Sequence, residues 1–246
     1  MFTYGSLLKN VPKGVSVGIG RGSGRGDVER SAAAFNNVKI YDDPERLAKD
    51  LKGGKIDAAV RGDMSSSKLL PILKDVFKMP EVQRTVLLEP EGKKMIFVAP
   101  VGIDEGWTVP QKYELAVRSV KLMRRIGMGE RIAVMSGGRD DDKGRNDIVD
   151  RTIDDAAELV AKLRKDGYDA YHAEILIETA VSEADLLIAP DGISGNLIFR
   201  TLHFLGNAKA LGAPVLNMDK VFVDTSRVKT DYRDSIALAM HLAVRK

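Results

Sequence analysis

One short loop joins a carboxylate, a hydroxyl and an amide, in the sequence PDGISGN at residues 190–196. The loop follows one apolar run and precedes another, so it is expected between a buried strand and a helix. Asp191 is placed for acid/base or hydrogen-bonding work, and Ser194 or Asn196 can cap the helix, whose free N–H groups bind an anion. Ordinary turn chemistry is the alternative interpretation. The predicted anion site comprises Asp191, Ser194, Gly195 and Asn196.

A hydroxyl and a guanidinium follow another apolar run near the C-terminus, in the sequence VFVDTSR at residues 221–227. Asp231 and Asp234 come shortly afterwards, where a helix is expected to begin. Arginine binds phosphate through two parallel hydrogen bonds, so Ser226 and Arg227 predict a second anion-binding arrangement. The alternative is that Asp231 or Asp234 caps the helix and Arg227 is its exposed partner.

A third candidate loop lies between a predicted strand and a long helix, and reads SGGRDDDKGRND at residues 136–147. Open α/β sheets bind their ligands at such places. The mixed charges are compatible with a mobile loop that contacts a polar substrate, and the candidates are Ser136 and Lys143. The alternative is a solvated acidic loop.

A glycine-rich loop, GIGRGSGRG at residues 18–26, also follows a strand and precedes a helix. Its backbone N–H groups can approach phosphate closely, and Asp42, at the end of the next strand, stands where a ribose-binding acid would. The loop matches neither a regular dinucleotide fingerprint nor a Walker A motif. A nucleotide or S-adenosylmethionine site is conceivable, and a glycine-rich surface turn is the alternative. The candidate residues of this loop are Gly18, Gly20, Gly22 and Asp42.

The chain has no cysteine and only three histidines. Thiolate nucleophiles, disulfides and cysteine-ligated metal sites are therefore excluded. No two of His172, His203 and His241 have metal-ligand spacing, so no metal site is expected and all three are interpreted as structural residues. No Ser–His pair is evident, and the nucleophile of a group transfer is expected to come from a substrate, as a thiolate or a phosphate.

The bulk composition narrows the classes of partner. Lys and Arg number 38 against 35 Asp and Glu, a net charge of +3 that argues against nucleic-acid binding. No segment approaches the roughly 20 continuous apolar residues that cross a bilayer. Residues 1–13 lack the features of a signal peptide, so a cytoplasmic protein without a membrane partner is expected. The 30% charged residues and only two glutamines favour a protein from a hot habitat.

Short β-branched runs alternate with longer amphipathic segments along the chain. The predicted strands are residues 15–19, 38–41, 56–60, 85–88, 95–99, 131–135, 186–189, 213–216 and 221–223. The predicted helices are residues 27–35, 44–51, 66–77, 110–126, 146–165, 176–183, 197–205 and 233–244. This alternation predicts parallel strands with helical crossovers that cover both faces of a sheet.

One hairpin interrupts the alternation, because the turn sequence EPEG at residues 89–92 separates two apolar runs. The predicted sheet is therefore mixed, though mostly parallel. A polar stretch around the only Trp, at residues 101–110, is interpreted as a crossing between domains. The predicted lobes are residues 1–108 with 219–246, and residues 109–218.

The PDGISGN and TSR motifs together resemble the superfamily of phosphotransacetylases, phosphotransbutyrylases and PlsX-type acyl-ACP:phosphate acyltransferases. The sequence KGRN at residues 143–146 is similar to the Lys-Gly-Asn of the PlsX loop. The likeness runs from residue 109 to the C-terminus. It implies a two-lobed fold of the isocitrate-dehydrogenase type, with an anionic small-molecule substrate in the cleft and a homodimer as the usual assembly.

The resemblance also implies roles for residues. The superfamily's Ser-Arg pair and following Asp correspond to Ser226, Arg227 and Asp234, with Asp231 as an alternative. The Arg would bind phosphate or the acyl carbonyl, and the Asp would help deprotonate the coenzyme A thiol. The family's loop after its third strand is replaced by RGDMSSS at residues 61–67, where Arg61 and Ser65 stand in.

Within the superfamily, the short length and glycine-rich start resemble the methanogen family MtxX, also called methanogenesis marker protein 4. The leading expectation is a transferase that holds phosphate or an acyl phosphate between 194–196 on one lobe and 226–227 on the other. No cofactor is required in this interpretation, and coenzyme A is a possible co-substrate. The alternatives are a methyltransferase that uses S-adenosylmethionine or a methylated pterin or corrinoid, and a non-catalytic metabolite-binding relative.

Overall fold

The computed structural model describes residues 3–22, 26–226 and 228–244. The chain forms two compact units. The terminal unit comprises Phe2–Val82 with Leu211–Lys246, and the central unit comprises Gln83–Ala210.

The strands are β1 Val17–Gly20, β2 Val38–Tyr41, β3 Ala58–Val60, β4 Val86–Glu89, β5 Ile96–Ala99, β6 Ile132–Met135, β7 Ala170–Glu174, β8 Leu186–Ile188, β9 Lys209–Pro214 and β10 Val221–Asp224. The α-helices are α1 Tyr4–Lys9, α2 Asp27–Ala32, α3 Pro44–Lys52, α4 Ser66–Phe77, α5 Val109–Ile126, α6 Asp147–Lys165, α7 Ile177–Glu183, α8 Gly192–Arg200 and α9 Arg233–Ala243. A 3₁₀ turn, Asp140–Asp142, precedes α6, and a π-helical turn, Thr201–Leu205, continues α8.

The sheet of the terminal unit runs in the order β2-β1-β3-β10-β9. Its first four strands are parallel, and β9 joins β10 in the antiparallel sense. Strands β1 and β3 are buried along their whole length. One core cluster gathers Leu47 and Leu51 of α3, Leu69 and Leu73 of α4, and Phe222 of β10. The fully buried strand backbone explains why these segments are apolar without alternation.

The sheet of the central unit runs in the order β4-β5-β8-β6-β7. Strands β4 and β5 form the predicted antiparallel hairpin, and the remaining pairs are parallel. Mixed, mostly parallel sheets were expected from the sequence, and this fold class is confirmed.

The units divide at 82/83 and 210/211 rather than at the predicted 108/109 and 218/219. The physical reason is strand pairing, because β5 pairs along its length with β8. The hairpin that contains β5 therefore belongs with the central unit.

Two predicted elements are clearly displaced in the structure, and helix α1 and strand β7 were not predicted. The helix expected at 197–205 begins at Gly192, because the carboxylate of Asp191 accepts a hydrogen bond from the Ser194 N–H at 2.8 Å and starts the helix. The strand expected at 213–216 is Lys209–Pro214, whose glycine- and proline-containing sequence lacks a β-branched run. Strand β7 was not predicted, since it is an edge strand with only part of its length buried.

Gly62 lies where the loop after β3 touches the loop after β1. Its φ of 62° is left-handed, and an added Cβ would collide with the Gly20 carbonyl oxygen. Gly144 also has a left-handed φ, of 88°, but an added Cβ there meets nothing within 4 Å.

We expect Gly144→Ala to lower the free energy of unfolding by about 1–2 kcal/mol, from backbone strain alone. We expect Gly62→Ala to cost about 1–3 kcal/mol more, because the collision with a backbone carbonyl adds to the same strain. Urea unfolding followed by circular dichroism measures both. Equal losses in the two variants would show that the two loops are not held in contact.

Candidate functional site

Three loops of the terminal unit emerge at one edge of its sheet, because the strands that precede them are parallel neighbours. Strand β3 pairs with β1 on one side and with β10 on the other. The loops after these strands contain residues 21–22, 61–65 and 225–226. The Gly22 N–H donates to the Asp63 carboxylate at 2.6 Å, so the first two loops are joined directly. This edge brings together candidates that are far apart in the sequence.

A buried ion pair joins the second and third of these loops. The Arg61 guanidinium donates through Nε to the Asp224 carboxylate and through Nη1 to the Met64 carbonyl oxygen at 2.7 Å. Only 7% and 10% of the two paired side chains is exposed. The Thr225 hydroxyl donates to the Gly62 carbonyl at 2.7 Å and its N–H to the Asp224 carboxylate at 2.9 Å. Arg61 was predicted to bind phosphate, whereas in the structure it positions the loop that carries Ser226.

Ser226 follows this network directly and is half-buried. Its carbonyl oxygen accepts from the Lys229 N–H at 3.3 Å and from the Tyr232 hydroxyl at 3.3 Å, which closes a turn toward α9. Arg227, the predicted anion ligand, lies outside the described residues.

The two acidic candidates at the start of α9 have opposite electrostatic environments. Burial raises the pKa of Asp234, although the Lys229 ammonium at 2.7 Å and the Ser235 N–H at 2.6 Å oppose this. In contrast, the Arg233 side chain lowers the pKa of Asp231 by hydrogen bonds to both carboxylate oxygens. A carboxylate with a raised pKa is the better proton acceptor near neutral pH. The structure therefore distinguishes Asp234 from its alternative.

A cavity of about 390 Å³ lies at the same edge of the terminal unit. It is lined by Arg21, Gly22, Asp42, Pro44, Asp63, Met64, Ser65 and Lys68. Ser65 is the N-cap residue of α4, but its hydroxyl bonds that of Ser67 at 2.8 Å instead of capping the helix. Lys68, in the first turn, is exposed. The helix N–H groups, the serine hydroxyls and the Lys68 ammonium can donate hydrogen bonds to an anion, and the same lining contains the carboxylates of Asp42 and Asp63.

The glycine-rich loop serves packing in its described part. An added Cβ on Gly18 would meet Leu47 and Ile56, on Gly20 it would meet Met64, and on Gly22 it would meet the Asp63 carbonyl. The remaining predicted loop residues, 23–25, lie outside the described ranges.

Asp42 was predicted to hold a ribose, but a guanidinium already occupies its carboxylate. Arg21 binds both oxygens of Asp42, at 2.6 and 2.8 Å, and also donates to Glu29 at 2.8 Å. The same hydrogen bonds lower the pKa of Asp42 and of Glu29. A ribose would have to compete with this pair.

In the central unit, the PDGISGN loop uses most of its polar groups internally. Asp191 caps α8, and the Ser194 hydroxyl donates to its carboxylate at 3.2 Å. The Asn196 amide donates to the Val101 carbonyl at 2.8 Å. A Cβ on Gly195 would collide with the Pro100 carbonyl, so the helix packs against that backbone. The predicted cap was Ser194 or Asn196, and this was wrong because the extended Asp191 reaches the first turn before them.

Lys112, which the sequence analysis did not single out, supports this loop. It is nearly fully buried, and its ammonium binds the Asp155 carboxylate at 2.9 Å and the Pro190 carbonyl at 3.1 Å. Lys143, by contrast, is half exposed. It lies in the loop before α6 and pairs with Asp154 of that helix.

The expectation that no serine meets a histidine was wrong. The Ser136 hydroxyl lies 2.8 Å from Nε2 of His172, and Nδ1 of His172 lies 3.3 Å from the Asp140 carboxylate. These residues come from β7 and from the loop after β6, so only the strand register brings them together. The signal available in the sequence was the polar His172 in a segment that was not recognised as a strand.

No family model matches the sequence. The "Putative methyltransferase mtx subunit X" of Methanosarcina acetivorans is 45% identical over 221 residues, which cover 89% of this chain and 79% of that protein. The chain belongs to the mtx subunit X family. A phosphate acetyltransferase of Corynebacterium glutamicum is 29% identical over 171 residues, covering 65% of this chain and 51% of that protein. The family resemblance stated from the motifs is thus confirmed.

Solved structures at low identity share the fold of this mtx subunit X chain. EutD phosphotransacetylase from Staphylococcus aureus has a TM-score of 0.73 at 13% identity, covering 99% of this chain and 100% of that chain. A 4-hydroxythreonine-4-phosphate dehydrogenase from Klebsiella pneumoniae has a TM-score of 0.59 at 12% identity, covering 96% and 92%. The fold is therefore the one that phosphotransacetylases share with this class of dehydrogenases.

None of the helices in residues 3–22, 26–226 and 228–244 is long and apolar enough to cross a membrane. No group of three or more His, Asp or Glu side chains in those ranges is arranged to hold a metal ion.

The Arg61–Asp224 pair generates a prediction about stability. We expect Asp224→Ala to lower the free energy of unfolding by about 3–5 kcal/mol, because it leaves the Arg61 charge buried without its carboxylate. The double variant Arg61→Met/Asp224→Leu should recover most of this loss, since no charge is then buried. Urea unfolding measures all three proteins.

The matched control is Glu45→Ala, which removes the exposed partner of Lys49 in α3. It should leave the unfolding midpoint almost unchanged, because exposed ion pairs contribute little. A small effect of Asp224→Ala, similar to that of Glu45→Ala, would contradict the positioning role of Arg61.

Proposed function

We propose that this mtx subunit X chain is a phosphate acyltransferase-like enzyme that binds phosphate or the phosphoryl end of an acyl phosphate at the edge of its terminal unit. The observation that carries the proposal is the buried Asp234, whose raised pKa suits proton transfer and which follows the turn that holds Ser226. The sequence similarity to a phosphate acetyltransferase supports the same reaction class.

The phosphate is proposed to lie at the start of α4. The Ser65 hydroxyl, the first N–H groups of the helix and the Lys68 ammonium supply donors and positive charge beside the cavity of about 390 Å³. The helix dipole adds favourable partial charge for an anion at this end. The N-cap of α4 is a serine, and the two carboxylates that line the cavity already have partners, Asp42 in Arg21 and Asp63 in the Gly22 N–H.

The transfer is proposed to be direct. A thiol of the co-substrate, of which coenzyme A is the candidate, attacks the carbonyl carbon of the acyl phosphate and gives its proton to Asp234. The new C–S bond forms as the C–O bond to phosphate breaks, and phosphate leaves. Arg227, carried over from the family motif, would stabilise the oxyanion of the tetrahedral intermediate. The Lys229 ammonium at 2.7 Å holds the Asp234 carboxylate in place.

Methyl transfer is the second candidate, because the Methanosarcina acetivorans relative carries that name. S-adenosylmethionine would then bind at the glycine-rich loop beside Asp42. The bidentate Arg21–Asp42 pair weakens this candidate, since the acid would have to exchange a guanidinium for a ribose hydroxyl.

We expect Asp234→Asn to lower the rate of acetyl transfer from acetyl phosphate to coenzyme A by about 10²–10⁴-fold, because the amide cannot accept the thiol proton. The rate of the wild type should rise with pH as Asp234 loses its proton, at a pH above the ordinary range of an aspartate because burial raises its pKa. Initial rates across a pH series measure both effects. The acidic limb of the profile should be absent in the variant.

The matched control is Asp231→Asn, three residues earlier, where the carboxylate pairs with Arg233 and its pKa is lowered. It should retain activity close to that of the wild type. Equal losses in the two variants would show that Asp234 has no special part in proton transfer.

We expect the affinity for phosphate to fall about tenfold or more in Lys68→Ala and in Arg227→Ala. Each variant removes a charged donor, and a hydrogen bond to a charged group contributes about 1.5–3 kcal/mol. Isothermal titration calorimetry measures the affinity. Lys52→Ala is the control, as an exposed lysine on the neighbouring helix α3. Unchanged binding in both variants would place the anion elsewhere. Binding of S-adenosylmethionine that is lost in Asp42→Ala would favour methyl transfer.

A further inference from the structure

A nucleophile, a base and an orienting carboxylate meet in the central unit, whereas the site proposed above belongs to the terminal unit. The Ser136 hydroxyl lies 2.8 Å from Nε2 of His172, and Nδ1 of the same ring lies 3.3 Å from Oδ1 of Asp140. Hydroxyl, imidazole and carboxylate in this order are the arrangement that activates a serine in covalent catalysis. The imidazole is mostly buried, with 16% of its side chain exposed, whereas 69% of the Asp140 side chain is exposed to solvent.

The strand register produces this contact. In the parallel pair of β6 and β7, Val134 lies opposite His172, and Ser136 is two residues further along the same face. A β-bulge follows, so that Met135 lies opposite Glu174 rather than Ala173. Bulges of this kind re-aim side chains next to active sites.

Glu174 lies at the bulge and holds Asp140, the carboxylate of the group. Its φ is 52°, a left-handed value that a non-glycine residue adopts only when the surrounding structure enforces it. Its side chain accepts a hydrogen bond from the Asp140 N–H at 3.0 Å, and its carbonyl accepts one from the Ser136 N–H at 2.9 Å. One strained residue therefore positions both the serine and the carboxylate.

The proton arrangement depends on the charge of the ring. The Ser136 hydroxyl has one proton and two acceptors within reach, Nε2 of His172 and the Gly138 carbonyl oxygen, each at 2.8 Å. Because the Asp140 carboxylate faces Nδ1, that nitrogen carries a proton in the neutral ring, and Nε2 is left as the acceptor. The hydroxyl then donates to His172. In the imidazolium form, Nε2 donates to the serine oxygen and the hydroxyl donates to Gly138.

We propose that Ser136 is a covalent acyl acceptor, activated by His172 and Asp140. Its oxygen attacks the carbonyl carbon of an activated acyl donor, and its proton passes to Nε2 of His172. The leaving group, a phosphate, thiolate or alkoxide, departs as the intermediate collapses and takes that proton. Water then attacks the serine ester with His172 again as the base, which releases the carboxylic acid and restores the hydroxyl. The class of acyl donor rests on the proposed function, whereas the reacting side chains do not.

Burial limits the acyl group that this centre accepts. Ser136 is only 2% exposed, whereas its neighbour Gly137 and Asp140 are exposed. A donor must therefore reach the hydroxyl past Gly137, and a small acyl group such as acetyl is expected to react faster than a bulky one. The Gly138 N–H, which has no acceptor among the described residues, is available to stabilise the oxyanion.

The test is acetylation of the full-length protein by p-nitrophenyl acetate, followed by release of p-nitrophenolate, intact mass and peptide mapping. We expect one acetyl group on Ser136 and none in Ser136→Ala. His172→Gln should slow its formation by about 10²-fold or more, because it removes the base. A bulkier p-nitrophenyl ester, such as the octanoate, should react much more slowly than the acetate.

The matched control is Asp141→Asn against Asp140→Asn. Both residues lie in the same 3₁₀ turn, but Asp140 faces His172 while Asp141 is exposed and has no such contact. Asp140→Asn should slow acetylation, and Asp141→Asn should not change it. Circular dichroism establishes that each variant is folded. If Ser136→Ala does not fold, the position of the acetyl group on the wild type decides the question.

An acetyl group on any residue other than Ser136 would overturn the proposal. So would the absence of an acetyl group together with a rate of p-nitrophenolate release that Ser136→Ala leaves unchanged. The two proposals also fail separately. Both proposals stand if Asp234→Asn loses acetyl transfer to coenzyme A while its Ser136 is still acetylated by the ester. Only the Ser136 proposal stands if Ser136 is acetylated but the protein neither binds phosphate nor responds to Asp234→Asn.

Discussion

The buried ion pair between Arg61 and Asp224 is the interaction on which the edge of the terminal unit depends. Two charges removed from water are stable only when they bind each other and the surrounding dipoles, so the loops that carry them cannot move independently. Thr225 adds hydrogen bonds to both loops through its hydroxyl and its N–H. The position of Ser226, and the start of the turn toward Asp234, follow from that constraint. Because the pair joins the ends of two adjacent parallel strands, it fixes the positions of the polar groups that follow them.

Much of the fold could be predicted because buried parallel strands have an unmistakable composition. Strand β2 and helix α4 have the predicted bounds, and the hairpin was recognised by its turn. Strand β7 escaped because an edge strand needs to bury only part of its length, so its sequence shows no apolar run. The start of α8 was misplaced because three residues of one loop can each cap a helix. The packing of Gly192 and Gly195 against neighbouring carbonyl oxygens decides which residue caps the helix. The spacing of residues in the sequence does not reveal this packing.

The candidate site could be predicted only in part. Loops at the carboxyl ends of strands were identified correctly, since that rule depends only on the order of elements. The partners within the loops were not, because they depend on register and on competition between side chains. His172 meets Ser136 only through the pairing of two strands, and Asp42 is held by Arg21 from the loop after the neighbouring strand β1. Residue type and chain order indicate where chemistry can occur, whereas pairing decides which groups remain available for it.

Charge distinguishes the start of α8, which was predicted to bind an anion, from the start of α4, which carries the candidate Ser65. Helix α8 begins at Asp191, whose carboxylate takes the first-turn N–H group and places a negative charge where an anion would lie. The N-cap of helix α4 is Ser65, whose hydroxyl does not bond the first helix N–H groups, and Lys68 adds a positive charge in the first turn. The same backbone dipole therefore has different consequences at the two places. An acidic cap completes a helix and repels phosphate, whereas a serine cap with a nearby lysine leaves the helix start open to it. This difference supports the proposal that phosphate binds at α4 rather than at the PDGISGN loop.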